Sequence, residues 1–333
     1  VKKVEIEIVV SNARVVCLGE ILFDCFADRA GKSLEEVEFW THYPGGAPAN
    51  VASALVKLGT PAAMVSCVGV DRAGDSLVKL LESIGVDITG TQRHPTAPTR
   101  QVYVLLSESN DRSFAGFGDL PTDKFADAYL EASKLPLHLF EEADYLVFGT
   151  LELAYPQTRE AIFHALELAD KYYLKIVLDV NWRPVFWPDI SEAEALIKKL
   201  WQYVDFLKLS SEEAEWLFGT TNAAAIAEKL DSVEGVVVTN GGEGDIFYCL
   251  NEHEGIVSPF SVPVVDTTGA GDAFVAGLVH QLCQRGIASL NNPETVREIV
   301  TYACAVGAIT TTKPGAIDAQ PTASEVEAFL SNE

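Results

Sequence analysis

From about residue 144 onward, short β-branched runs alternate with segments of helical periodicity. "DYLVFG" (144–149) precedes 155–173, where Ile162, Leu166, Ala169 and Tyr173 recur at helical spacing. "KIVLDVN" (175–181) precedes a helix expected over 191–204, and "VVVTNGG" (236–242) follows another. Such alternation predicts βαβ units, hence an α/β fold with a mainly parallel central sheet and helices on both faces. Helices expected over 47–58, 73–84 and 272–285 each stop at a glycine, Gly59, Gly85 and Gly286.

The N-terminal third has a different pattern. "RVVCLGEILFDCFA" (14–27) begins as a central strand, but 28–41 is polar and irregular. A second strand-rich stretch, 87–107, has no long helix between its strands. These segments predict a small β-sheet projecting from the main sheet as a lid, formed by about 22–44 and 87–120 and inserted in one domain spanning 14–330. No repeat, low-complexity tract or Pro-rich linker divides the chain.

Charge narrows the partners. Asp and Glu outnumber Lys and Arg by 48 to 24, a net charge of −24, so the overall field repels nucleic acid and anionic membrane. A small anionic ligand must then be held by local devices such as helix N-termini, a few cations or a metal. The six cysteines are scattered without zinc-type spacing and read as buried apolar residues of a cytoplasmic protein. The N-terminal stretch lacks a signal-peptide hydrophobic region, and no later run approaches a membrane span. The first dozen residues carry no assigned function.

In open parallel sheets, ligands bind beyond the carboxyl ends of the strands. Here "VLDV" runs into Asn181 and Arg183, "DFLKL" into "SSEE" with Glu213, "VVVT" into "NGGEG", and "SVPVV" into "DTTGAGD". In the last of these, Gly269, Ala270 and Gly271 let backbone N–H groups approach a ligand at the start of a helix, which makes an anion cradle. Asp266 and Asp272 have two readings on this stretch alone: helix caps, or, for Asp272, a carboxylate that handles a proton beside a phosphate. "GGAPAN" (45–50) leads into a helix carrying Asn50, whose amide can bond two neighbouring hydroxyls, and Asp24 follows an apolar strand in "GEILFD". Each of these is also compatible with an ordinary turn or loop.

Several familiar motifs fail. "GKS" at 31–33 lacks the first glycine of a P-loop because Phe26 stands there. "CLGEIL" has one glycine where a dinucleotide-binding turn needs three, and there is no G-x-S-x-G elbow. Phosphoryl transfer by a non-Walker arrangement remains the best chemical reading.

With these residues in view, the chain resembles the ribokinase-like, or PfkB, carbohydrate kinases. "GGAPAN" looks like the family's N-terminal signature and "DTTGAGDAF" (266–274) like its C-terminal one, in matching order and strand context. "DVNWRPVFW" (179–187) is most similar to fructokinases. The resemblance implies a three-layer αβα sandwich and an ATP-dependent kinase acting on a primary hydroxyl of a furanose, most simply O6 of D-fructose. It implies that Asp272 is the general base and that the amides of Gly269, Ala270 and Gly271 stabilise the moving phosphoryl group. Asp24, Gly45, Gly46 and Asn50 would hold the sugar, and Arg183 the sugar or the transferred phosphate. Glu213 would organise Mg2+ through water, "TNGGEG" with Thr239, Gly241 and Gly244 would bind the nucleotide, and "TTTKPGA" with Gly315 would close over the adenine. Asp266 and Thr268 would border a K+ ion. Lid sheets of this kind can pair two subunits in a homodimer, and a monomer is equally consistent.

Two departures from the family pattern stand out. Ser210 replaces the usual Asn of N-x-x-E, and the lid-side element "FAGFGDLPTD" (114–123) has no arginine, Arg112 lying just upstream. Other sugars, 2-keto-3-deoxygluconate and ribose among them, remain within the class. A catalytically silent kinase-like binding protein, or a general α/β metabolite-binding protein, lies outside it.

Overall fold

A computed structural model describes residues 13–106, 112–242 and 244–332. Its strands are β1 (Val15–Leu18), β2 (Leu22–Ala27), β3 (Trp40–Gly45), β4 (Ala62–Gly69), β5 (Asp87–His94), β6 (Gln101–Leu106) and β7 (Arg112–Gly116). There follow β8 (Tyr145–Phe148), β9 (Lys175–Asp179), β10 (Phe206–Ser210), β11 (Gly235–Thr239), β12 (Ile246–Leu250) and β13 (His253–Val257). The helices are α1 (Ala47–Lys57), α2 (Arg72–Ile84), α3 (Leu137–Glu142), α4 (Pro156–Tyr172), α5 (Ala193–Lys198), α6 (Ser211–Phe218), α7 (Ala223–Leu230), α8 (Ala270–Arg285), α9 (Pro293–Thr310) and α10 (Ala323–Leu330).

Nine strands form the central sheet in the order β13-β12-β11-β10-β9-β8-β1-β4-β5, parallel from β11 to β5 and antiparallel at β12 and β13. Strands covered on both faces read as continuous apolar runs, and β1, β4 and β8 are buried at every position. Alternate residues of β1 serve opposite layers: Val16 and Leu18 join the core under α3 to α7, while Val15 and Cys17 join that under α1, α2, α8 and α9. Helix α8 is buried from Asp272 through Cys283, because it lies against both the sheet and α9. The molecule is therefore the expected three-layer sandwich.

A second sheet, ordered β3-β2-β6-β7, stands apart from the first. One strand expected in it lies elsewhere. Asp87–His94 pairs parallel with β4 at the edge of the central sheet, register Val65↔Gly90 to Gly69↔His94, as the closing strand of a βαβ unit through α2. Its polar sequence, DITGTQRH, reflects an edge position, and the small sheet takes only β6 and β7 from the later stretch. The helix expected over 191–204 is also shorter. After α5 the chain tightens into i→i+3 bonds, with Lys199, Leu200 and Trp201 N–H donating to Leu196, Ile197 and Lys198 C=O. Gly59, Gly85 and Gly286 end their helices at positive φ, as expected.

Candidate active site

Loops after β1, β8, β9 and β10 converge with α1, β2 and the start of α8 on one cavity of about 990 Å3. Its lining includes Asp24, Gly46, Asn50, Arg183, Glu213, Thr268, Gly269, Gly271 and Asp272, drawn from parts of the chain far apart in sequence. The residues expected to hold a sugar, Gly45 excepted, and those expected to handle a phosphate, Ala270 excepted, thus share one space. Thr239 ends β11 and the turn after it contains Gly241 and Gly244; these lie outside the lining, and Glu243 lies outside the described residues.

The two readings of Asp272 separate here. Helix α8 begins at Ala270, two residues earlier than expected, behind Gly269 as its cap, and no side chain caps it. Asp272 instead aims its carboxylate across the cavity: Oδ2 accepts the Asn50 Nδ2–H at 2.7 Å and Oδ1 accepts from Asn181 Nδ2 at 3.2 Å. Asn181 makes that bond from the left-handed region, φ 43°, which Asn tolerates better than most residues. Burial pushes the Asp272 pKa up to about 6. The Asn50 hydrogen bond and the charges of Lys208 and Arg183 pull against that rise, while Asp179 adds to it. A carboxylate so poised can take a proton near neutral pH.

Asp266 does act as a structural anchor. Its Oδ1 accepts the Thr268 N–H at 2.8 Å and its Oδ2 the Gly315 N–H at 3.0 Å, fixing the loop before α8 to the loop after α9. Gly269 has φ 76°, and a Cβ there would lie 2.7 Å from the Ala316 Cβ, so only glycine fits this turn. Gly269 and Gly271 face the cavity, whereas the Ala270 N–H turns back toward Thr267 O at 3.3 Å. At the opposite wall, a Cβ on Gly45 would come within 2.7 Å of the Asp24 Oδ2, and one on Gly46 (φ 103°) within 2.5 Å of the Glu20 carbonyl oxygen. The glycine pair lets this turn close over β1 and β2.

Lys208 and Asp179 were not among the residues expected in the site. Lys208, buried in the middle of β10, places Nζ 3.1 and 3.2 Å from the two Asp179 carboxylate oxygens. A Cβ on Gly271 would stand 3.2 Å from that Nζ, so the ammonium sits directly against the glycine cradle. Burial opposes its charge, but Asp179, Glu213 and Asp272 outweigh burial and hold the lysine pKa above its ordinary value. Asp179 ends β9 and Lys208 faces it from inside β10, so each is a charged residue in a mostly apolar strand.

Ser210 N-caps α6, accepting the Glu213 N–H at 3.2 Å. Glu213 accepts the Trp182 N–H at 2.6 Å on Oε1 and the Ser210 N–H at 2.7 Å on Oε2. It therefore clamps the loop carrying Arg183. Arg183 is exposed at the rim and donates from Nη1 to Trp182 O at 2.9 Å. Among the described residues no cluster of three or more His, Cys, Asp or Glu side chains forms a metal centre, and no helix is long and apolar enough to cross a membrane.

The αβα sandwich thus gathers a buried carboxylate, a buried ammonium and a glycine-rich turn around one cavity beyond its strand ends. The family model described as pfkB family carbohydrate kinase matches residues 12–323, and the chain belongs to that family. It is 35% identical to "Fructokinase-2" of Solanum lycopersicum over 323 residues, covering 96% of this chain and 97% of that protein. Among solved structures, the fructokinase of Xylella fastidiosa with bound ATP superposes with a TM-score of 0.86 at 28% identity, covering 97% of this chain and 99% of that one. A fructokinase double mutant of Vibrio cholerae O395, bound to fructose, ADP and potassium ion, gives 0.82 at 29% identity, covering 96% and 99%.

Proposed function

We propose that this carbohydrate kinase is an ATP-dependent fructokinase that transfers the γ-phosphoryl group of ATP to O6 of D-fructose. The observation that carries this reading is the buried Asp272 carboxylate, held by Asn50 and Asn181 beside the Gly269–Gly271 turn. The relatives' names and the bound fructose and nucleotides of the neighbours supply the substrates.

In this account Asp24, Gly45, Gly46 and Asn50 hold the sugar so that its primary hydroxyl faces Asp272. The Asp272 carboxylate removes the hydroxyl proton as the oxygen attacks, and Asn50 keeps that carboxylate aimed. The N–H groups of Gly269 and Gly271, with that of Ala270 once released from Thr267, receive charge from the transferring group. Lys208 beneath them sets one positive charge directly against the turn in a chain of net charge −24. Little bonding is available to the protein in such a transition state, so positioning and preorganised charge supply most of the rate. Arg183 closes the rim on sugar or phosphate, and the small sheet excludes water that would otherwise consume ATP.

Thr239, Gly241, Gly244 and Gly315 are placed on the nucleotide side; in support, Asp266 already ties the Gly315 loop to the cradle. The Glu213 oxygens each hold one backbone amide and keep a lone pair for water, which fits a hydrated Mg2+ better than direct ligation. Mg2+, when bound with ATP, neutralises the phosphates. Asp266 and Thr268 would hold a K+ ion, which would supply positive charge beside the same turn. Two chains pair through the small sheet, whose outer strands β3 and β7 are edges, and the protein works in the cytoplasm, in keeping with six free cysteines. An assay of ADP release across fructose, ribose, 2-keto-3-deoxygluconate and other sugars, with and without Mg2+ and K+, tests this reading. Highest kcat/KM with fructose supports it; turnover confined to another sugar replaces the substrate.

A further inference from the structure

Behind the sugar wall of the cavity, two glutamates from adjacent central strands meet. Glu20 follows β1 and Glu152 lies in the 3-10 turn Leu151–Ala154 after β8; they are 5% and 1% exposed. Glu20 lines the cavity, and its Oε1 accepts the N–H of Ala47, the first residue of α1, at 2.7 Å. Glu152 contacts Glu20, yet neither of its carboxyl oxygens, both fully buried, receives a hydrogen bond from a donor group. Gly19 makes room for this approach: a Cβ there would lie 3.3 Å from the Glu152 Oε2 and 2.6 Å from the Pro48 Cγ of α1.

The cation near the pair is already committed. Arg100, just before β6, donates to Asp127 from Nε and Nη2 at 2.5 and 2.7 Å. The other charged groups facing the pair are Asp127 from the segment Ala126–Tyr129 and Asp272 from α8, both acidic. Two carboxylates in contact cannot both ionise in such surroundings, and a buried carboxylate without a donor is costly. One proton between them removes both penalties.

We propose that Glu152 is a positioning residue that remains protonated and donates its carboxylic proton to Glu20. Glu20 in turn holds the first amide of α1, and so sets Gly46 and Asn50 against Asp272. Burial drives both glutamates' pKa values up, with their mutual repulsion adding to the rise for Glu152. The chain of contacts runs from Glu152 to Glu20, to the α1 amide, to Asn50 and finally to the base. Loss of the shared proton at alkaline pH leaves two anions in contact, shifts the start of α1 and raises the sugar KM.

The kinetic test rests on the fructokinase reading; a spectroscopic one does not. On an Asp272→Asn background, the infrared carbonyl stretch of a buried protonated carboxylic acid should be present at neutral pH and vanish on adding Glu152→Gln. In the otherwise wild-type chain, Glu152→Leu removes buried polar atoms and should keep Tm at or above the wild-type value, yet lose about tenfold in kcat/KM for fructose. Glu152→Gln, which retains an N–H donor, should stay within about threefold of wild type and abolish the alkaline rise in KM. A carbonyl band that survives Glu152→Gln, wild-type kinetics in Glu152→Leu, or equal losses in Leu and Gln variants would overturn the proposal. Absence of fructose turnover in every chain would count against the substrate reading and leave the infrared band to decide this one.

Discussion

Asn50, in the second turn of α1, donates its side-chain N–H to Asp272 in the first turn of α8, 2.7 Å across the cavity floor. The bond ties the wall expected to hold the sugar to the residue expected to activate it. It also lowers the proton affinity of a carboxyl group that burial raises. The rate should therefore decline as pH falls through about 6, because the base is then protonated. In Asn50→Ala that acid limb should move to higher pH; a pH–kcat profile of both proteins checks this.

Asp272→Asn should fold normally and lose roughly 10² to 10⁴ in kcat, the range for a positioned base, with little change in sugar KM. Single-turnover ADP formation gives the comparison. The same variant should be more stable than wild type at neutral pH, by on the order of 1 to 3 kcal/mol. The sign follows from the raised folded pKa: ionising Asp272 costs stability, so the native advantage is complete below the ordinary carboxylate range and is lost as pH rises through about 6. Thermal melts at pH 4 and pH 8 should show the two proteins converging at the lower pH.

Lys208→Met leaves Asp179 buried without its partner and should cost about 3 to 5 kcal/mol of stability. Adding Asp179→Asn should recover most of the lost Tm. The double variant should nevertheless remain roughly 10²-fold slower than wild type, since the ammonium against the cradle is still missing. Recovery of kcat along with Tm would reduce Lys208 to a structural role.

Gly269→Ala forces a side chain into a left-handed position with Ala316 2.7 Å away. A stability loss of about 1 to 3 kcal/mol is expected, together with a fall in kcat larger than any change in KM.

Arg183 is exposed, so Arg183→Ala should leave Tm unchanged while raising the sugar KM or lowering kcat. Unchanged kinetics would remove it from the site.

Much of this arrangement was legible because "GGAPAN" and "DTTGAGDAF", each compatible alone with an ordinary turn, stand together in one chain in matching order and strand context. The same logic left Asp272 ambiguous. A carboxylate near a helix start serves cap and base alike until the direction of the side chain is known, and that direction depends on Asn50, far away in sequence. Lys208 and Asp179 passed as strand residues because each is a single charge in an apolar run, and only the pairing of β9 with β10 makes them partners. Glu20 and Glu152 are similar: adjacency of β1 and β8 turns two ordinary carboxylates into a contact. Strand β5 was misplaced for the opposite reason, since an edge strand's polar sequence does not reveal which sheet it closes.

The central claim is transfer of a phosphoryl group from ATP to fructose with Asp272 as base. It is tested most directly by measuring fructose-dependent ADP release in wild type and Asp272→Asn side by side, at saturating ATP and Mg2+. The account predicts rapid release in wild type and a loss of roughly 10² to 10⁴ in the variant, with both proteins folded. Equal rates in the two proteins, or no fructose-dependent release from wild type, would contradict it.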